Sequence, residues 1–94
     1  MSEDEQLEML IEQTINGAMA TIPAHLEEIE QNKDTLKVTD PKEFVFGVIM
    51  GMALGMASTA LASMKQEMPS PEDQLKIRDM IFSKIPQIRE EIFK

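Results

Sequence analysis

The side chains that could take part in chemistry are few in this 94-residue chain. His25 is the one histidine, and an imidazole acts as a general base when a partner orients it. Glu27 and Glu28 follow closely, but a histidine among glutamates on a charged helix is more often a surface or capping group. We therefore predict no catalytic role for His25 and no other catalytic residue.

Carboxylates cluster at Glu27, Glu28, Glu30 and Asp34. Their oxygens are the ligands that Ca²⁺ prefers, but the cluster lacks the glycine-turned spacing of a calcium loop. The chain also lacks the Glu-x-x-His pairs of di-iron helical bundles. The pattern favours a solvated acidic surface, and we predict no metal site.

Methionine is abundant, with nine residues, and thioethers bind Cu(I). On a helix, however, Met50 and Met52 point about 160° apart, because successive residues turn by about 100°. Only Met52 and Met56 share a face, so core packing is the favoured interpretation of the methionines. A methionine-lined pocket or partner groove is the alternative. No phosphate loop, nucleophile elbow or dinucleotide fingerprint is present, so neither a cofactor nor an enzymatic activity is expected.

These residues must be positioned around one uncharged segment, which runs from Phe44 to Met64. Asp40 followed by Pro41, with Glu43 three residues after Asp40, is typical of a helix start, and the prolines after Met68 stop the helix. We predict a helix over 41–66 that is apolar on all sides. A helix of this kind lies in the centre of a soluble bundle or crosses a bilayer, which takes about 20 apolar residues.

Small residues recur along this helix at helical spacing. Each glycine within a helix costs roughly 0.5–1 kcal/mol relative to alanine, so a compensating gain is expected. That gain is close approach of a second helix, from a second copy or from a neighbouring segment of the chain. The predicted interface consists of Gly47, Gly51, Gly55, Ser58 and Ala62.

Two amphipathic segments flank the central one. The first covers 3–31 with a kink or break near Pro23, and the second covers 71–93 with a kink near Pro86. Ser2 and Ser70 are the predicted caps, and 31–39 is a predicted loop. Mainly apolar residues recur in the first segment at helical spacing: Leu7, Leu10, Ile11, Thr14, Ile15, Ala18, Ile22, Leu26 and Ile29. The corresponding stripe of the second segment is Leu75, Ile77, Met80, Ile81, Ile85, Ile88 and Ile92.

Together these patterns predict an all-α fold, with residues 1–94 as one domain of three main helices and the apolar helix sandwiched between the outer two. A chain of this size is marginally stable alone, so completion by oligomerisation, most simply a homodimer, is expected. The net charge of −8 argues against nucleic acid as a partner.

Several functions stay open. We expect a small acidic non-enzymatic protein, a soluble homo-oligomer with a structural, scaffold or regulatory interaction role and an unknown protein partner. One alternative is a single-pass membrane accessory subunit that spans at 44–64, and another is a carrier of a small apolar ligand. The acidic first residues lack the basic and apolar regions of a signal peptide, and the chain has no cysteine, so a cytoplasmic location is expected.

Overall fold

In a computed structural model, which describes residues 2–94, the chain forms six α-helices and, within those residues, no strand. The predicted all-α bundle is therefore confirmed. The six helices are α1 Glu3–Ala20, α2 Ile22–Gln31, α3 Lys33–Leu36, α4 Pro41–Lys65, α5 Pro71–Phe82 and α6 Ile85–Phe93.

Side-chain caps begin the three longest helical segments, as predicted. Ser2 accepts a hydrogen bond from the amide three residues later at 3.1 Å, and Asp40 accepts one from the Glu43 amide at 3.2 Å. Only at α5 is the capping box reciprocal, because Ser70 and Asp73 bond each other's amides at 3.1 Å. Each cap satisfies an amide that has no partner within its helix.

Proline breaks both outer segments. A proline has no amide hydrogen and its ring clashes with the carbonyl four residues earlier, so the helical hydrogen bonds cannot continue past it. Pro23 and Pro86 each lie at the second position of a new helix, α2 and α6. Thr21 and Lys84 take near-identical backbone angles just before these helices. The outer segments are thus broken rather than bent.

We call α1–α2 the first arm and α5–α6 the second arm, and both run antiparallel to α4. At the carboxyl end of α4, Lys65 forms ion pairs with Glu3 of α1 and Asp73 of α5, both at 3.1 Å. At the amino end, Glu43 pairs with Arg89 of α6 at 2.5 Å. The beginnings of both arms therefore meet one end of α4, and the second arm ends near the other.

The core between α4 and the arms is built mainly from isoleucine. All four long helices and α6 contribute to a single cluster, and the larger buried side chains in it are almost all β-branched. The arms bury one stripe of α4 whose members are four residues apart: Val45, Ile49, Ala53, Ala57 and Leu61.

The prediction that the outer segments pack around α4 as the central helix is confirmed, and the contacts show how much of α4 they cover. Both arms contact α4, but α1 also contacts α5, and Glu12 pairs with Lys84 at 3.0 Å across the arms. Since the arms close on each other behind α4, they cover one face of it and leave the opposite face at the surface.

Two predictions, about the segment 31–39 and about Leu75, need correction. Residues 31–39 are not all loop, since the short helix α3 lies within them and ends at Lys37 in a left-handed conformation. Leu75 does not join the core stripe of the second arm and is 51% exposed. The core positions of α5 are Ile77 and Ile81.

The buried alanines of α4 set how closely the arms approach it. Ala53 is fully buried, so the larger side chain of Ala53→Leu must displace an arm. Overpacking of this kind costs about 1–3 kcal/mol in free energy of unfolding. Urea unfolding followed by far-ultraviolet circular dichroism should show the loss, and it suits a chain without tryptophan or tyrosine.

The matched control is Ala24→Leu on the exposed surface of α2. It should leave the unfolding midpoint within about 0.5 kcal/mol of wild type, as exposed substitutions usually do. Equal midpoints for Ala53→Leu and wild type would contradict this account of the core.

Candidate functional site

The outer face of α4 carries only small side chains. We define it as the stripe of positions two residues beyond each buried residue of α4. Two residues turn a helix by about 200°, so this stripe lies opposite the core. Its five members are all exposed: Gly47, Gly51, Gly55, Thr59 and Ser63.

The three glycines of this face have no neighbour within the chain. A Cβ atom placed on Gly47, Gly51 or Gly55 would meet no atom within 4 Å. The predicted packing of these glycines against a neighbouring helix of the same chain is therefore wrong. Packing against a second copy stays a prediction, and it would compensate for the helix-propensity cost of glycine at these positions.

In the carboxyl-terminal half of α4, the exposed line of small residues differs by one residue from the predicted interface. Ser58 and Ala62 are half-buried, whereas Thr59 and Ser63 continue the line of the glycines. The prediction took a three-residue step after Gly55, as in a coiled coil. The structure keeps a four-residue step throughout, and the spacing of the apolar residues from Val45 to Leu61 was the signal for it.

A shallow groove runs along this face. One wall is the line of small residues and the other contains Met52 and Met56. Met56 is 46% exposed, and Phe44 and Met64 beyond the groove are 40% and 51% exposed. The groove is thus uncharged and mainly apolar, and its polar side chains are the hydroxyls of Thr59 and Ser63.

Charged pairs close the two ends of the uncharged face. At the amino end, the Arg89 guanidinium donates to Glu43, and its centre lies 4.8 Å from the Phe46 ring and 4.6 Å from the Phe93 ring. Such cation–π stacking fixes α6 against α4. The hydrogen bond to Glu43 raises the pKa of Arg89.

At the carboxyl end, Lys65 lies between carboxylates of both arms. Its ammonium donates to Asp73 at 3.1 Å and 3.2 Å, and it also pairs with Glu3. The hydrogen bond to Asp73, followed by that to Glu3, raises the pKa of Lys65. The hydrogen bond from the Ser70 amide, followed by that from Lys65, lowers the pKa of Asp73.

His25 lies on α2, away from the outer face. Its Nδ1 is 3.0 Å from the carbonyl oxygen of Thr21, which accepts a hydrogen bond in the tautomer that protonates Nδ1. The ring lines an open depression with Glu28, Asn32 and Phe44. This hydrogen bond is local, since the same carbonyl oxygen also accepts a hydrogen bond from the backbone amide of His25 at 3.0 Å.

The acidic side chains near the end of the first arm form local contacts. Glu30 pairs with Lys33 at 3.1 Å, and Glu27 accepts a hydrogen bond from Gln31 at 3.4 Å. Among residues 2–94, no three histidine or carboxylate side chains converge on a point where an ion could bind.

By length and composition alone, one helix within residues 2–94, α4, could cross a membrane. In its apolar window only 28% of the residues are buried, which is little for a helix in a soluble core. The exposed remainder includes the outer face of α4.

Comparison with known proteins gives no guide to the role of this face. No family model matches the chain, and no curated protein or solved structure matches it either.

The ion pair of Lys65 and Asp73 predicts a pH dependence of stability. The folded pKa of Asp73 lies below its ordinary value of 3.8, so Asp73 stabilises the fold above that pH. This contribution disappears as the pH falls through the folded pKa. Asp73→Asn should therefore lower the free energy of unfolding at pH 7, with a much smaller difference from wild type well below pH 3.8.

Urea unfolding of both proteins at neutral and acidic pH checks this, away from the isoelectric point of about 4.5. Raised salt should also reduce the difference at pH 7, because both groups are partly exposed and screened. A difference that stays the same at acidic and neutral pH would show that the charge of Asp73 is unimportant.

Proposed function

We propose that this is a small acidic non-enzymatic protein that self-associates in solution through the outer face of α4 and has a structural, scaffold or regulatory interaction role. The observation that carries the proposal is the stripe of three exposed glycines, which have no neighbour within the chain. Glycine at these helical positions weakens the isolated chain, and only a close partner compensates for it.

The surface area of the chain supports a partner of about its own size. The accessible surface is 6062 Å², whereas a compact monomer of this mass exposes about 5,500 Å². The radius of gyration is 14.6 Å, against about 12.4 Å for a compact chain of this length. Removing that excess of about 600 Å² from each of two copies would bury about 1,200 Å², the lower end of stable interfaces.

The charge distribution also supports self-association through this face. The chain carries a net charge of −8, so two copies repel each other wherever their charged surfaces meet. Between Phe44 and Met64 there is no charge, and Glu43 and Lys65 at the two ends are paired. If two copies meet at α4, the charged arms of one copy lie away from those of the other. Salt then screens the repulsion between these charges beyond about 8–10 Å.

A membrane span at 44–64 is the second candidate, and the length and exposed apolar surface of α4 favour it. The packing of the arms favours the soluble alternative. Both arms lie along α4, and charged residues such as Glu12 and Lys84 are located part-way along them. To cross a bilayer alone, α4 would have to lose its arms and the isoleucine core that they share with it.

A carrier of a small apolar ligand has less support. The depression near the start of the arms is lined by apolar side chains such as Leu61 and Met64 but also by the charged groups of Lys65 and Asp73, which an apolar ligand would remove from water. The groove on α4 is uncharged but shallow, so it would leave a small molecule largely in water. Drug-sized ligands are usually buried over most of their surface.

The replacement Gly51→Leu tests the proposal while sparing the fold. The position is exposed and a Cβ atom there meets no neighbour, so the monomer should fold as before and gain about 0.5–1 kcal/mol from better helix propensity. The same side chain blocks close approach of a second helix. Light scattering on a size-exclusion column should give the monomer mass of 10.6 kDa for the variant and twice that for wild type.

Gly17→Leu on α1 is the matched control, because Gly17 is also exposed and free of neighbours but lies away from α4. It should keep the wild-type mass. The proposal fails if wild type is a monomer without detergent, or if Gly51→Leu and Gly17→Leu have the same oligomeric mass. Recovery of wild type from membranes alone would instead support the span at 44–64.

A further inference from the structure

We infer that the occupant of the outer face is a second copy of this chain, whose α4 helix crosses the first in the right-handed sense at about 40–50°. The closest approach lies between Gly51 and Gly55, and the contact extends to Thr59. The inference rests on the proposed self-association and adds the geometry of the interface.

The spacing of the exposed small residues determines the crossing. Gly47, Gly51, Gly55 and Thr59 are four residues apart, so they form one of the i±4 rows of the helix surface. Two helices that interdigitate such rows cross at about −50°, and pairs with small residues four apart cross at about −40°. The alternating three- and four-residue spacing of a coiled coil gives about +20° instead.

The face is complementary to itself, which is why a second copy fits it. The row of glycines is a furrow in the helix surface, and the adjacent row that contains Met52 and Met56 forms its wall. A two-fold axis brings the methionine row of each copy into the furrow of the other, as an isologous interface requires. Met56 is 46% exposed in the single chain and would be covered by this contact.

A steep crossing limits the contact to the middle of α4. Phe44 and Met64 each lie about ten residues from the crossing point, or about 15 Å along the axis. There the two helices have diverged, so these side chains stay accessible in the dimer. Thr59 lies one turn beyond Gly55 and is covered.

Single cysteines provide the test, because the native chain has none. The variants are Ser58→Cys, Thr59→Cys and Met64→Cys, each kept reduced, with the rate of thiol alkylation measured over a dilution series. Light scattering at each concentration gives the fraction of dimer. Thr59→Cys should react about tenfold more slowly in the dimer, since a buried thiol is unreactive. Ser58→Cys, half-buried by its own chain, and Met64→Cys should react at rates that do not depend on concentration.

Three results would overturn the inference. Protection at Ser58→Cys but not at Thr59→Cys would indicate a left-handed, coiled-coil interface. Protection at Met64→Cys would indicate helices that run alongside each other. No protection at any position, while the mass still doubles, would place the interface elsewhere and leave self-association intact. A monomer mass at every concentration would remove the proposed function and the inference together.

Discussion

The constraint on which the structure depends is that α4 is apolar on every side, whereas the arms that accompany it can cover only one. Each arm is a pair of amphipathic helices, and its apolar stripe is about as wide as one contact requires. Two such stripes meet α4 and each other, and together they close a three-helix core. The third side of α4, with Gly47, Gly51 and Gly55, then has nothing from the same chain to pack against.

The rest of the fold can be understood from this arrangement. Within the core, Ala53 and Ala57 lie between isoleucines of both arms, which brings the helices together near the middle. At the two ends of α4, ion pairs connect the helices. Lys65 connects α4 to both arms, and Arg89 of the second arm connects to Glu43 of α4. Within α4, charge is confined to the two ends of the helix, and the outer face of α4 remains uncharged along its length.

The sequence predicted the helices well because their boundaries depend on local chemistry. Ser2, Asp40 and Ser70 cap helices by bonding amides that are only three residues away. Pro23 and Pro86 interrupt the helical hydrogen bonds because proline has no amide hydrogen, and this does not depend on its surroundings. The short helix α3 was missed, since four residues carry too little periodicity to distinguish a turn of helix from a loop.

The candidate site was predicted less completely, because its position depends on how whole helices pack. The glycines indicated from sequence alone which face of α4 carries small side chains. Whether Ser58 or Thr59 continues that face depends on the direction in which the arms cross α4, and a single-sequence pattern does not contain that information. The exposure of Leu75 has the same origin, since an apolar residue at the edge of a stripe is buried only if a neighbour reaches it.

The measurement that tests the central claim most directly is the mass of the unmodified chain, purified without detergent, by light scattering with concentration taken from refractive index. Refractive index is needed because the chain has no tryptophan or tyrosine. If a second copy covers the outer face of α4, the measured mass is twice the monomer mass of 10.6 kDa. It falls towards the monomer mass only on dilution. A soluble, stable chain with the monomer mass at every concentration would contradict the account.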